Sequence, residues 1–133
     1  MVTSKTMTLV LFEDGHAESE RVGRAIAERL DVARYDVRVC GASALTVSDL
    51  LASTLYFFGA ETPEAPAYAE LARILKGINL AGRRAAFYGA SGAAVAWLRA
   101  LCADSELTAA HGDLVGRHPE NSTLTAWLRA IAP

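Results

Sequence analysis

Short, continuous apolar runs alternate along nearly the whole chain with segments whose apolar residues recur every three or four positions, and this alternation leaves few folds open. The runs are Thr8 to Phe12, Tyr35 to Cys40, Thr54 to Gly59, Arg84 to Tyr88 and the less regular Leu107 to Val115. Because they do not alternate with polar residues, they read as strands covered on both faces, the pattern of a parallel sheet. Between them, Val22, Ile26 and Leu30, then Tyr68, Leu71, Ala72 and Leu75, then Leu124, Trp127, Leu128 and Ile131 each form one helical stripe. A short helix near Ser48 to Ser53 and one after the fourth strand complete the alternation, with Asn121 and Ser122 as the expected cap of the last helix. Five strands and five helices joined by right-handed crossovers predict an α/β fold: a three-layer α/β/α sandwich around a five-stranded parallel sheet, with residues 1–133 as a single domain.

In such a sandwich ligands sit beyond the carboxyl ends of the strands, where the strand order reverses. That rule selects the loops Glu13 to Ser19, Gly59 to Pro66, Tyr88 to Gly92 and Arg117 to Pro119. Charge limits the partners: 13 basic against 15 acidic side chains, net −2, give no bulk attraction to nucleic acid or to an anionic membrane. No stretch approaches the ~20 apolar residues of a membrane span, and the first apolar run is a strand rather than a signal peptide, so the expected compartment is the cytoplasm. Cys40 and Cys102 have no metal or redox spacing and read as reduced core residues, and Asn121-Ser122-Thr123 reads as a chance sequon. Arg83 and Arg84 read as solvated residues at the end of the sheet away from these loops.

Three stretches carry a resemblance to a known family. Leu9-Val10-Leu11-Phe12 runs through a short loop into Ser19-Glu20-Arg21-Val22 and Ala25-Ile26-Ala27-Glu28-Arg29-Leu30; Leu55-Tyr56-Phe57-Phe58-Gly59-Ala60-Glu61-Thr62-Pro63 follows; Leu80-Ala81-Gly82-Arg83-Arg84-Ala85-Ala86-Phe87-Tyr88-Gly89 comes third. In order and spacing these resemble the first strand and phosphate loop, the third strand with its flavin-flanking loop, and the approach to the fourth strand of the flavodoxins. The resemblance spans nearly the whole chain and implies strand order 2-1-3-4-5 and non-covalently bound FMN. The cofactor-binding residues it implies are Asp14, Gly15, His16, Ala17, Glu18 and Ser19 for the phosphate, Gly59, Ala60, Glu61 and Thr62 after the third strand, and Tyr88, Gly89, Ala90, Ser91 and Gly92 after the fourth.

The chain departs from that family where the phosphate should sit. A loop that typically alternates Ser or Thr around Gly keeps only Ser19, and the other places are filled by Glu13, Asp14, His16, Ala17 and Glu18. A helix N-terminus favours an anion by about 0.3–1 kcal/mol, and a carboxylate beside the phosphate opposes it by at least as much. The aromatic rings that would enclose a flavin also depart from the family: Tyr68 falls inside its helical stripe, the loop after the fourth strand offers Tyr88 at its start and Trp97 too far along, and Val95 stands where a second ring is expected. Other readings of the acids are a dipole-satisfying helix start and a receiver-like Mg²⁺ site at Glu13 and Asp14. The latter lacks an acceptor Asp at Phe57-Phe58-Gly59 and the usual Lys-Pro at Arg117-His118-Pro119. His16, His111 and His118 stand without a nucleophile at fixed spacing and read as solvated.

The function these residues imply is therefore a flavodoxin-like FMN electron carrier with redox protein partners and no catalytic side chains or metal of its own. The alternative is a flavin-free module of the same fold serving interaction or regulation. In either case no catalytic residue is assigned.

Overall fold

The computed structural model describes residues 4–132, so the first three residues and Pro133 of the expected domain lie outside the described residues. The elements run β1 (Thr6–Phe12), α1 (Ala17–Arg29), β2 (Tyr35–Gly41), α2 (Val47–Leu51), β3 (Leu55–Ala60), α3 (Ala69–Leu75), β4 (Arg84–Gly89), α4 (Gly92–Cys102), β5 (Thr108–Ala109), β6 (Leu114–Val115) and α5 (Asn121–Ile131). The sheet is parallel, in the order β2-β1-β3-β4-β5, with β6 also pairing with β4. The reversal of order lies between β1 and β3, whose pairing ends at Leu11↔Phe58.

The continuous apolar runs make sense once both faces are covered. Leu9, Leu11, Tyr56, Phe58 and Phe87 point to one face and pack under α3 and α4 through Leu71, Ile74, Val95 and Leu98. Val10, Leu55, Phe57 and Ala86 point to the other, under α1 and α5, where Val22, Ile26 and Leu30 meet Leu124, Trp127 and Ile131. Successive residues of the central strands thus feed two separate cores, whereas β2, at the edge of the sheet, exposes Asp36 and Arg38 and does not meet the expectation of burial on both faces.

The last strand position is filled by two segments. Ala85 pairs with Ala109 and Tyr88 with Leu114, so three steps along β4 face five along the edge and two residues loop out. Arg99 closes that loop, donating to the Asp113 carboxylate at 2.6–3.0 Å and to the Ala110 carbonyl at 2.7 Å, while the Trp127 indole donates to the Gly112 carbonyl. The extra residues explain why Leu107 to Val115 shows no clean strand period.

Two further expectations are corrected. Asn121 does not cap α5: Glu120 holds the cap position without a side-chain bond, and the Asn121 side chain accepts from Arg29 at 2.7 Å instead. Arg84 begins β4 at the far end of the sheet and is exposed, with Arg83 just before it and only partly exposed; each donates to a carbonyl, Arg83 to that of Ser53 and Arg84 to that of Ile131. Cys102 is buried and its thiol is pushed up to about 12 by desolvation, whereas Cys40 is only half-buried.

Candidate functional site at the strand-order reversal

The site is built outward from the end of β1. Leu9 and Leu11 face the α3/α4 side of the sheet, and the strand's two-residue period places Glu13 on that same side, one step beyond the pairing. The result is an acid, 2% exposed, at the end of a strand buried from Thr8 onward. Such a group needs partners. Its carboxylate accepts from the backbone N–H groups of Glu61 at 2.8 Å and Thr62 at 3.2 Å, and from the Thr62 hydroxyl at 3.0 Å. His16 Nε2 stands 2.6 Å from its second oxygen.

The other acids of the loop behave alike. Asp14 accepts from the Ser43 backbone N–H at 2.9 Å, in the loop after β2, and approaches so closely that a Cβ on Gly41 would lie 1.9 Å from its Oδ2. Glu18 accepts from the His118 backbone N–H at 3.0 Å, in the loop before α5, and pairs with Arg21 at 2.6 Å. The Arg21 guanidinium is the main reason the Glu18 carboxyl sits below its usual range, with the His118 N–H adding to it. Glu20 pairs with Arg24 on the helix surface. Two carboxylates of the loop, Glu13 and Asp14, and one from the first turn of α1, Glu18, thus serve as acceptors for the amides of three neighbouring segments.

Ser19, the one hydroxyl left from the phosphate-loop pattern, is turned inward and buried. Its oxygen accepts from the Glu13 backbone N–H at 2.9 Å. Tyr88 lies across the sheet beneath α1, donates to the Leu11 carbonyl at 2.8 Å, and has its phenol pushed far up by desolvation. Its ring covers Gly59 so tightly that a Cβ there would meet a ring carbon at 1.9 Å. On the opposite face Tyr68, in a short 3₁₀ turn at Pro66–Tyr68 rather than in α3, both donates to the Gly59 carbonyl at 2.6 Å and accepts from its N–H at 3.0 Å. Gly59 is therefore pressed between two tyrosines, neither of which presents a ring face to the loops above.

The remaining candidates are placed as follows. Gly15 makes the exposed turn at φ +80°, and Ala17 opens α1. Ala60 is buried and its carbonyl accepts from Ala90 N–H, while Gly89 ends β4 and its carbonyl accepts from Gly116 N–H. Ser91 caps α4 by accepting from Ala94 N–H, and Gly92 is the first helical residue. Trp97 packs edge-on against Tyr68, and Val95 is buried. Between Glu18, Ser19, Ala60, Glu61, Tyr88 and Ala90 runs a cleft of about 10 Å³, room for about one water molecule.

Sequence reasoning left Glu13 out of the binding set and gave Tyr68 no role beyond its stripe. The two-residue period of β1 was the signal for Glu13, since it makes the acid an inward-facing position. Glu13 and Asp14 bond to different loops, and among the described residues no group of three His, Cys, Asp or Glu side chains is disposed to hold a metal ion. No helix among them is long and apolar enough to cross a membrane.

A flavin would have to fit between these loops. Ring-binding pockets for ligands of that size hold about 300–1,000 Å³, and the loops here leave far less. The amides at Glu61 and Thr62 are occupied by Glu13, the Ser19 hydroxyl is buried, and the tyrosine rings lie under the site. The α1 N-terminus keeps one feature of an anion site, since its cap residue His16 makes no side-chain cap, but the nearest side chains there are acids. The residues present do not fit FMN.

No protein-family model and no curated protein matches the chain. Solved structures do. A short-chain flavodoxin associated with a non-canonical PDU bacterial microcompartment superposes with a TM-score of 0.76 at 12% identity over 96% of both chains. The Streptococcus pneumonia TIGR4 flavodoxin gives 0.81 at 15% identity over 96% of this chain and 98% of its own, and oxidised Flavodoxin 2 from Bacillus cereus gives 0.80 at 19% over 96% and 97%. At these identities the shared property is the architecture, and with the order 2-1-3-4-5 the chain is a flavodoxin-like α/β sandwich.

Proposed function

We propose that this protein is a flavin-free module on the flavodoxin-like scaffold, serving interaction or regulation, rather than an FMN electron carrier. The observation that carries this reading is Glu13: a buried carboxylate already bonded to the Glu61 and Thr62 amides, on the loop that a flavin would have to contact. An internal acceptor of this kind does locally what a bound ligand's oxygens would do, satisfying orphan donors and tying the loops together.

The test is direct. Protein purified without added flavin should show no absorbance band near 450 nm, and titration to roughly 100 μM FMN should give no saturable quenching of flavin fluorescence. A yellow protein, or saturation in the low micromolar range, overturns the proposal. That outcome would support the carrier reading, which the uncapped α1 N-terminus and the flavodoxin neighbours favour, and redox protein partners would then be expected.

A further inference from the structure

His16 is held between two carboxylates. Nε2 stands 2.6 Å from Glu13 Oε2 and Nδ1 stands 2.8 Å from Glu61 Oε2, with side chains 36%, 2% and 16% exposed for His16, Glu13 and Glu61. A ring nitrogen meets a carboxylate at such distances only by donating, and a neutral imidazole has one donor. Both contacts together therefore need the cationic ring.

The other charged groups of the neighbourhood are engaged elsewhere. On the same loop and the start of α1, Asp14 serves Ser43, Glu18 serves Arg21 and His118, and Glu20 serves Arg24. From the end of β1 the ring faces Glu13, and from the loop after β3 it faces Glu61. Among the described residues His16 is the one ionisable cation recorded at these two acids.

We infer that His16 is a proton-operated latch that holds the Glu61 side chain over the mouth of the switch-point cleft and releases it when the ring loses a proton. The two contacts are unequal, which fixes what opens. Glu13 is anchored by the Glu61 and Thr62 amides and the Thr62 hydroxyl whatever the state of the ring. Glu61 has His16 as its recorded side-chain partner. On deprotonation the proton on Nε2 stays with Glu13, the Nδ1 lone pair turns against Glu61, and that carboxylate swings to solvent. The backbone at 61 and 62 remains tied to Glu13, so the movement is confined to the rim of the cleft. A histidine whose protonation biases one of two loop states is the usual form of such a device. The inference deepens the reading of the switch point as closed by its own side chains, and rests on it in treating this cleft as the working surface.

The experiment is a pH titration of isotope-labelled protein by NMR, without flavin. The ring nitrogens of His16 should both carry protons at low pH, and the neutral ring should be the Nε2–H tautomer alone. The Glu61 side-chain carboxyl resonance should move with the same midpoint as the ring. In Glu61→Gln the amide NH₂ can donate to the Nδ1 lone pair, so the pH response of the rim should disappear while the backbone spectrum stays native. His16→Gln should abolish it as well. A Glu61 carboxyl that titrates independently of His16, or a Glu61→Gln protein whose rim still responds as the parent does, overturns the latch. FMN binding by the parent would instead overturn the flavin-free reading and leave this titration unchanged.

Discussion

Gly59→Ala is expected to cost about 4 kcal/mol or to prevent folding, because nothing around the new methyl group can yield cheaply. The Cβ would stand 1.9–2.5 Å from three carbons of the Tyr88 ring. Moving the ring breaks the Tyr88 bond to the Leu11 carbonyl. Rotation of the peptide instead disturbs the Tyr68 hydroxyl, which bridges the Gly59 N–H and carbonyl. Chemical denaturation of the single variant and of Gly59→Ala combined with Tyr88→Val separates these causes. If the ring is the obstacle, the double variant should recover about 1–3 kcal/mol relative to the sum of the two single losses. Simple additivity would show that the strain lies in the backbone.

Glu13→Ala is the second large effect, expected at about 2–4 kcal/mol. The substitution removes the acceptor of two backbone amides and one hydroxyl, and leaves His16 with a single carboxylate. Glu13→Gln keeps one carbonyl oxygen for those amides and should lose only about 1–2 kcal/mol. Glu61→Ala should cost less than about 1 kcal/mol, since its partly exposed side chain has one partner and its amide is unaffected. Thermal unfolding of the three variants gives the ranking. Equal losses for Glu13→Ala and Glu61→Ala would contradict the view that the loops are held by Glu13.

How much of this was legible in the sequence follows from the range over which each interaction acts. The strands, the stripes of α1, α3 and α5 and the two-sided burial are local patterns, and Val22, Ile26 and Leu30 sit where their spacing places them. The order 2-1-3-4-5 came with the family resemblance. The split last strand was hidden because its extra residues are absorbed by contacts from Arg99 and Trp127 on other elements. The site was hidden for the same reason. Glu13 meets Glu61 across 48 residues and Tyr88 meets Leu11 across 77, and no periodicity encodes such pairs. The sequence reading took the acids as repulsion toward a phosphate. What it missed is that Glu13, Asp14 and Glu18 each answer a specific backbone donor, so that the loop is a hub and not merely an unfavourable place for an anion. His16, read as a solvated residue, turns out to join two of the loops.

The central claim is that carboxylates of the β1–α1 loop, not a ligand, satisfy the amides at the strand-order reversal. Amide hydrogen exchange at Glu61, Thr62 and Ser43, measured residue by residue in the parent, in Glu13→Gln and in Asp14→Asn, tests it most directly. All three amides should be protected in the flavin-free parent. Exchange should accelerate moderately at Glu61 and Thr62 alone in Glu13→Gln, and at Ser43 alone in Asp14→Asn, because each acid serves its own loop and a neutral carbonyl oxygen is a weaker acceptor than the charged one it replaces. Unprotected exchange at Glu61 and Thr62 in the parent, with protection appearing only when FMN is added, would contradict the account.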